Sequence, residues 1–520
     1  MKYAKLFNKL KTPQAQPIPG AGQVPNSAGG YAWEVDRWAM LDRFLILGSE
    51  GGTYYIDEQK LTAENAENAI EAIMEDGVRA VARIVEISEA GRAPKNDPAV
   101  FALALAATFG DQAAKTAAFQ ALSRVCRTGT HLFAFAEACD GMRGWGRGLR
   151  NAIGRWYNAK PADGLEYQLV KYVQREGWSH RDLLRLAHPV PASDAHKALF
   201  KWVVDGEITG YMPLVAAVQR LKEATPAHAV TIVRENKVPR EAVPTELLNE
   251  PLVWNALLEH MPMTAMVRNL ATMTRVGLLT MSSKATNKVV EELKSADRIR
   301  RARVHPVALL LAHATYAEGQ GLRGKNTWEP VPRIVDALDD AFHKAFANVE
   351  PTGKRYLLGL DVSSSMGYGQ VAGAPLTPAK AAAAMAMVTM RTEPFCQIMG
   401  FAHEFRKLNI TPKMRLADVL RVTQDQNFGA TDCALPMLYA MQHKLEVDVF
   451  VVYTDNETWH GSIHPAQALR EYRQRTGIDA KLIVVAMAGN RFTIADPRDR
   501  GMLDVVGFDA SVPQVMAEFV

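Results

Sequence analysis

The strongest constraint on how this chain can fold is a change of sequence texture at Pro351-Thr352-Gly353. From 33 to 349 the pattern is helical. Segments 63–75, 98–107, 113–124, 164–176 and 287–303 hold helix-forming residues, and many place apolar side chains three and four apart. Almost nothing there reads as a strand. Beyond the boundary, apolar runs at 355–362, 395–402, 447–453 and 480–487 alternate with helical patterns at 378–392, 414–423, 432–444 and 465–476. That alternation builds a parallel sheet covered on both faces, with ligands at the carboxyl ends of its strands.

A chain of 520 residues is too long for one hydrophobic core. The expected architecture is multidomain: a flexible arm over 1–30, an all-α helical-repeat body over 31–350, and a doubly wound α/β domain over 351–520. The arm reading rests on 12–30, a stretch of Pro, Gly, Ala and Gln that lacks the apolar residues of a core. Helices without a strand region to pack on suit a superhelical stack of pairs, although no strict sequence period marks the repeat. Within the body, Ser179 and Asp182 form a capping-box pattern, Gly177 is placed to stop the preceding helix, and Pro189 to stop the next.

Apolar content of 48% and charged content of 22% are ordinary for a soluble globular protein. No apolar run reaches the roughly 18–20 residues that span a bilayer, and the N-terminus lacks the apolar stretch of a secretory signal. The expected location is the cytoplasm. Cys126, Cys139, Cys396 and Cys433 are scattered without a CxxC pair, which points to reduced, mostly buried thiols.

The clearest chemical motif is Asp361-Val362-Ser363-Ser364-Ser365, at the carboxyl end of the first strand of the second domain. Thr431 just before a helix and Asp455 at the end of another strand bring two further loops toward the same sheet edge. Hydroxyl and carboxylate oxygens completed by water suit Mg²⁺. The set Asp361, Ser363, Ser365, Thr431 and Asp455 resembles the metal-ion-dependent adhesion site of von Willebrand factor A (vWA) domains. By that resemblance Ser363, Ser365 and Thr431 bind the metal, while Asp361 and Asp455 act mainly through water. No general base or activated nucleophile accompanies the motif, so an enzyme is not expected.

The net charge of +4 says little about partners, but its distribution says more. Residues 141–160 contain Arg143, Arg147, Arg150, Arg155 and Lys160 with no acid. The first three follow i, i+4, i+7 spacing and would share a helix face. Trp145, Trp156 and Tyr157 lie among them, either to stack on unpaired bases or to anchor helix packing. A second basic cluster covers Lys294 to Arg303. Lys171 and Arg175 form an i, i+4 pair, and His188 would fall back alongside Lys171 if the chain returns after Gly177. Solvated helix faces are the alternative for the arginines and lysines, and a capping or packing role is the alternative for His188.

The segments VCRTGTHLFAF (125–135), RGWGRGLRNAIGRWYN (143–158), GWSHRDLLRLAHPVP (177–191), MPMTAMVRNLATMTR (261–275) and DALDDAFHKAFANVEPTGKRYLLGLDVSSSM (336–366) resemble, in order, the TROVE-module proteins, the family of the Ro ribonucleoprotein autoantigen and its bacterial orthologues. The resemblance implies a ring of HEAT-like repeats closed by a vWA domain. It implies small noncoding Y RNA on the outer basic surface and single-stranded 3′ ends of misfolded or precursor RNA in the central hole. Lys171, Arg175 and His188 match positions associated with Y RNA, and Arg147 and Arg150 are further candidates from the acid-free run. It also suggests a role in RNA quality control or maturation, with an exoribonuclease such as polynucleotide phosphorylase as partner. The arm and the loop after Met366 carry no such match. Two readings compete with an RNA-binding ring: a metal-dependent protein-interaction scaffold, and a metal-dependent nuclease, which one hydroxyl-rich site without a base disfavours.

Overall fold

A computed structural model describes residues 11–48, 66–208, 212–321, 326–346, 350–367, 377–422 and 430–520. Helices fill the first part of the chain, from Arg37–Leu47 to Pro332–Lys344. Their ends are written locally. Asp36, Asp76, Asp111, Thr128, Ser193 and Ser283 accept main-chain N–H bonds at helix starts, satisfying donors the helix itself leaves open. Other helices begin with proline at a first-turn position, where its missing N–H costs nothing.

The helices pack pairwise along the chain, and the run closes on itself. The carbonyl of Arg92, just past the helix Gly77–Ala90, accepts from His305 Nε2 at 2.9 Å, immediately before the helix Pro306–Glu318. The same carbonyl accepts the Ala510 amide, and the Arg92 guanidinium holds Asp509 at 2.6 Å. The first helices, the last helices and the C-terminal domain therefore meet at one residue.

Among the described residues four short strands precede the main sheet: β1 (Val24–Pro25), β2 (Tyr31–Glu34), β3 (Gln174–Arg175) and β4 (Trp178–Ser179). The main sheet contains β5 (Arg355–Asp361), β6 (Phe395–Phe401), β7 (Phe405–Lys407), β8 (Val449–Thr454) and β9 (Lys481–Ala486); β10 (Phe492–Thr493) lies outside it, and β11 (Met502–Val506) completes it. Its order is β11-β9-β8-β5-β6-β7, parallel except for β7 at the edge. Every residue of β8 is buried, as a strand covered on both faces requires. The helices Pro378–Thr392 and Pro465–Thr476 match their expected bounds to the residue, whereas β7, β11 and Val512–Phe519 were not expected.

Residues 11–30 are not a free arm. β2 pairs with β1 and with β10, Trp33 is buried in the core of the α/β domain, and Gln14 is fully buried. Gly30 sits so close to the Thr458 carbonyl that a Cβ would collide with it. The composition misled because this segment is held by hydrogen bonds and one tryptophan rather than by an apolar stripe. Residues 1–10 and 368–376, which include most of the loop after Met366, lie outside the described residues.

Gly177 also does something other than expected. The helix Ala162–Lys171 ends six residues earlier, and Glu176 and Gly177, with φ of 52° and 79°, form the two-residue turn between β3 and β4. Two consecutive positive φ values are what a type I′ hairpin turn demands. Lys171 and Arg175 are therefore not one turn apart on a helix. The 287–303 segment likewise divides, into Lys284–Lys294 and Ala296–Arg301.

Candidate metal edge and basic surface

The sheet order reverses direction at β5, since the next strand, β6, lies on one side of it and β8 on the other. Ligands of open α/β sheets bind outside the carboxyl ends of the strands at such a switch point. Asp361 ends β5 there, and Asp455 follows β8. Both are fully buried. Asp361 accepts the Ser363 amide at 2.9 Å and the Thr454 hydroxyl at 2.7 Å. Asp455 accepts the Glu457 amide at 3.0 Å through one oxygen, while its Oδ2 is buried without a partner among the described residues. The Ser363 and Ser365 hydroxyls lie 3.0 Å apart, and Thr431 is 4% exposed.

Burial, followed by repulsion from Asp455, pushes Asp361 up to about 7. Burial also raises Asp455, against the pull of the Glu457 amide and the Ser365 hydroxyl. Two buried carboxylates with one orphaned oxygen and no cation among the described residues acting on either form a donor set short of positive charge. That set fits a divalent ion. Among the described residues no three His, Cys, Asp or Glu side chains converge as a metal group, so a metal here depends on the Ser and Thr hydroxyls.

Several supporting residues escaped sequence reasoning. Asn490 donates its side-chain amide to the Asp455 carbonyl, and Arg43 from the helical body donates to the Asn490 carbonyl. Gln14 donates to Asp432 at 2.6 Å and accepts from Thr458, whose hydroxyl also faces the Thr431 carbonyl. The N-terminal segment thus braces two of the three loops at this edge. No local signal in a Gln/Pro-rich stretch announces such long-range contacts.

On the helical body the predicted cations divide. The acid-free run is broken: Arg143 ends the helix Gly129–Arg143, bonds the Ala107 carbonyl and lies 5.4 Å from the Phe119 ring centroid. Arg147 and Arg150 belong to the next helix, Arg147–Asn158, so the expected three-residue face does not exist. Arg147, Arg150 and Arg155 are exposed and carry no ion pair among the described residues. Trp156 and Tyr157 are fully buried anchors, with Lys160 held 3.6 Å over the Trp156 ring. Only packing, and not base stacking, is open to those two rings.

Lys171 ends its helix with Nζ 3.3 Å from the Tyr167 hydroxyl. Arg175 is exposed on β3, pairs with Glu176 at 3.1 Å and reaches Asp97 at 3.6 Å. His188 is an exposed C-cap with φ of 43°. The helix it ends, His180–Ala187, packs on Arg147–Asn158 rather than returning along Ala162–Lys171, and Pro189 rests against Gly154. The structure therefore joins His188 to the Arg147 and Arg150 helix. It adds Arg181 and Arg185, both exposed, one turn apart and without an ion pair among the described residues. The capping box at Ser179 and Asp182, present as expected, was the signal that could have placed them. In the second cluster the charges are partly spent: Arg298 pairs with Glu292 and Arg300 with Asp297.

All four cysteines are free thiols, and no helix among the described residues is long and apolar enough to cross a membrane.

Known proteins match the whole of this arrangement. Residues 24–239 and 233–354 match the TROVE domain, and 355–520 match the Ro60 vWA domain. The chain is 44% identical over 523 residues to a Deinococcus radiodurans protein named RNA-binding protein RO60, covering 99% of this chain and 98% of that one. A Caenorhabditis elegans protein of the same name is 38% identical over 582 residues, covering 96% and 90%. The crystal structure of the Deinococcus radiodurans RO (RSR) protein superimposes with a TM-score of 0.71 at 44% identity, over 93% of this chain and 99% of that one. With a helical TROVE body closed by a vWA domain and relatives aligned nearly end to end, this chain belongs to the Ro60 family of TROVE proteins.

Proposed function

We propose that this protein binds RNA without transforming it: small noncoding Y RNA on the outer basic surface, and single-stranded ends of misfolded or precursor RNA in the central cavity. The observation that carries the reading is the set of exposed arginines without an ion pair among the described residues on two adjoining helices, Arg147, Arg150, Arg155, Arg181 and Arg185, beside His188. Phosphate recognition needs cations held in register with a rigid scaffold and not already neutralised. The two relatives named RNA-binding protein RO60 support RNA as the ligand. Lys171, Arg175 and His188 are assigned to the Y RNA, with Arg147 and Arg150 extending the path. The work is RNA quality control or maturation in the cytoplasm, with an exoribonuclease such as polynucleotide phosphorylase brought to the ring by the Y RNA.

The metal edge is assigned Mg²⁺, held by Ser363, Ser365 and Thr431 with Asp361 and Asp455 supplying negative charge. The unsatisfied Asp455 oxygen supports a bound cation, and a coordination position left open on that cation gives this edge alone a second reading, capture of an acidic protein side chain. Crosslinking in cells followed by sequencing of attached RNA tests the main proposal. Recovery of a small structured RNA supports it, and recovery of protein partners without RNA favours the scaffold.

A further inference from the structure

A cavity of about 490 Å³ lies where the first and last helices of the body meet. Its size falls within the roughly 300–1,000 Å³ of small-ligand sites. Leu270, Leu311 and Ala312 supply apolar wall, and Trp328, half-buried, supplies an aromatic one. Trp328 stacks at 22° on Tyr316, its indole N–H donating 3.0 Å to the Tyr316 carbonyl, so the ring is fixed in place.

The charge of this cavity is one-sided. Among the described residues, Lys95, Arg127, Arg268 and Arg303 line it, and no Asp or Glu does. The four come from four different places: the approach to the helix Asp97–Phe109, the loop after Gln112–Val125, the helix Met263–Arg275, and the turn before Pro306–Glu318. Arg268 and Arg303 are exposed and have no ion pair among the described residues. Arg127 donates to Ser88 at 2.9 Å, yet burial and the neighbouring Arg303 both disfavour its charge. The nearest carboxylate, Glu89 outside the lining, is engaged by Arg124 at 2.6 Å, and like charges brought together on walls that carry no acid call for an anion.

We infer that this seam cavity receives one unstacked nucleotide, its base against Trp328 and the Leu270–Leu311 wall and its flanking phosphates on Arg127, Arg268 and Arg303. A ligand with a single carboxylate would satisfy one of these guanidiniums and strand the others. An apolar body carrying phosphate on more than one side matches charges distributed around the walls. Base stacking on an aromatic ring within a cationic groove is the usual chemistry of single-strand recognition. The inference rests on the RNA-binding reading and specifies where an unpaired end is held.

The test uses the full-length protein, a fluorescent five-nucleotide oligouridylate and a hairpin RNA without overhangs, followed by anisotropy. Arg268→Ala combined with Arg303→Ala should weaken the oligonucleotide at least tenfold, lower its salt dependence by about 1.4 in log–log slope for two lost phosphate contacts, and leave the hairpin within twofold. Ala312→Phe, which fills the cavity without touching charge, should weaken the oligonucleotide alone. UMP that displaces the oligonucleotide identifies free nucleotide as a second source of the same chemistry; UMP that does not displace it identifies the strand as the ligand. Oligonucleotide affinity within twofold of wild type in both variants overturns the site. Wild-type protein that binds the oligonucleotide but not the hairpin counts against the outer surface and not the cavity, and protein that binds neither overturns both.

Discussion

The Thr454 hydroxyl donates 2.7 Å to the Asp361 carboxylate across the β5–β8 pair, tying together the two strands that flank the sheet's switch point. Asp455 is the next residue along the chain. The sheet itself therefore places two buried carboxylates side by side, with folding, and not a mobile loop, bearing their repulsion. Mg²⁺ titrated into metal-free protein should raise Tm in proportion to the logarithm of its concentration above Kd, by the equivalent of about 2.7 kcal/mol at a hundredfold excess over Kd. Asp455→Asn should abolish that shift while raising Tm in chelator, because it removes one of the two charges. A metal response that survives Asp455→Asn would contradict the assignment.

Arg43 ties the helical body to the α/β domain. Its guanidinium is fully buried, meets Asp504 at 2.7 Å, and also bonds the main-chain carbonyls of Asn490 and Phe492. Removing one side of a buried ion pair leaves an uncompensated group and costs about 3–5 kcal/mol. Arg43→Ala should show that loss in urea unfolding, and because Asn490 bonds the Asp455 carbonyl, it should also weaken the Mg²⁺ response. Replacing both Arg43 and Asp504 with apolar residues of similar size should recover much of the stability. A loss below about 1 kcal/mol for Arg43→Ala would show that the contact is dispensable.

Acid should loosen the body. Burial pushes His131, His180 and His305 down to about 4, against an ordinary value near 6.5. In each case the folded pKa is depressed, so below pH about 6.5 the unfolded chain takes up protons that the folded one refuses. Their contribution is complete above that pH and lost progressively as pH falls toward 4. His305→Gln should flatten the dependence of the urea midpoint between pH 7.5 and 5, since His305 is neutral in its bonds to the Arg92 carbonyl and the Val307 amide. A slope equal to wild type would contradict this.

The capping box at Ser179 deserves a local test. Ser179 and Asp182 exchange bonds of 2.9 and 3.4 Å that fix the start of the helix carrying Arg181 and Arg185. Ser179→Ala should cost about 0.5–2 kcal/mol and raise amide exchange in the helix's first turn. Unchanged exchange would mean that tertiary packing alone sets the helix start.

How much of this was legible follows from where the information sits. The placement of Asp361, Ser363, Ser365, Thr431 and Asp455 at one sheet edge was legible because each lies in a strand-to-helix connection that local hydrophobic pattern reveals. The docking of 11–34 could not, because Gln14, Gly30 and Trp33 find partners more than four hundred residues away. At Gly177 the residue type was read correctly as a left-handed position, but a positive φ serves a helix stop and a hairpin turn equally. That one ambiguity displaced Arg175 from a helix to a strand and attached His188 to the wrong neighbour. Trp156 and Tyr157 show the same limit: sequence places rings beside arginines, and only packing decides which face they take.

The central claim is that the helical body binds structured RNA through its exposed cations. Filter binding of a hairpin RNA at several salt concentrations tests it most directly, comparing wild type with Arg147→Glu combined with Arg185→Glu. The account predicts tight binding by wild type that falls steeply with salt, and at least tenfold weaker binding with a shallower slope in the double variant. Equal affinity and equal slope in the two proteins would contradict it.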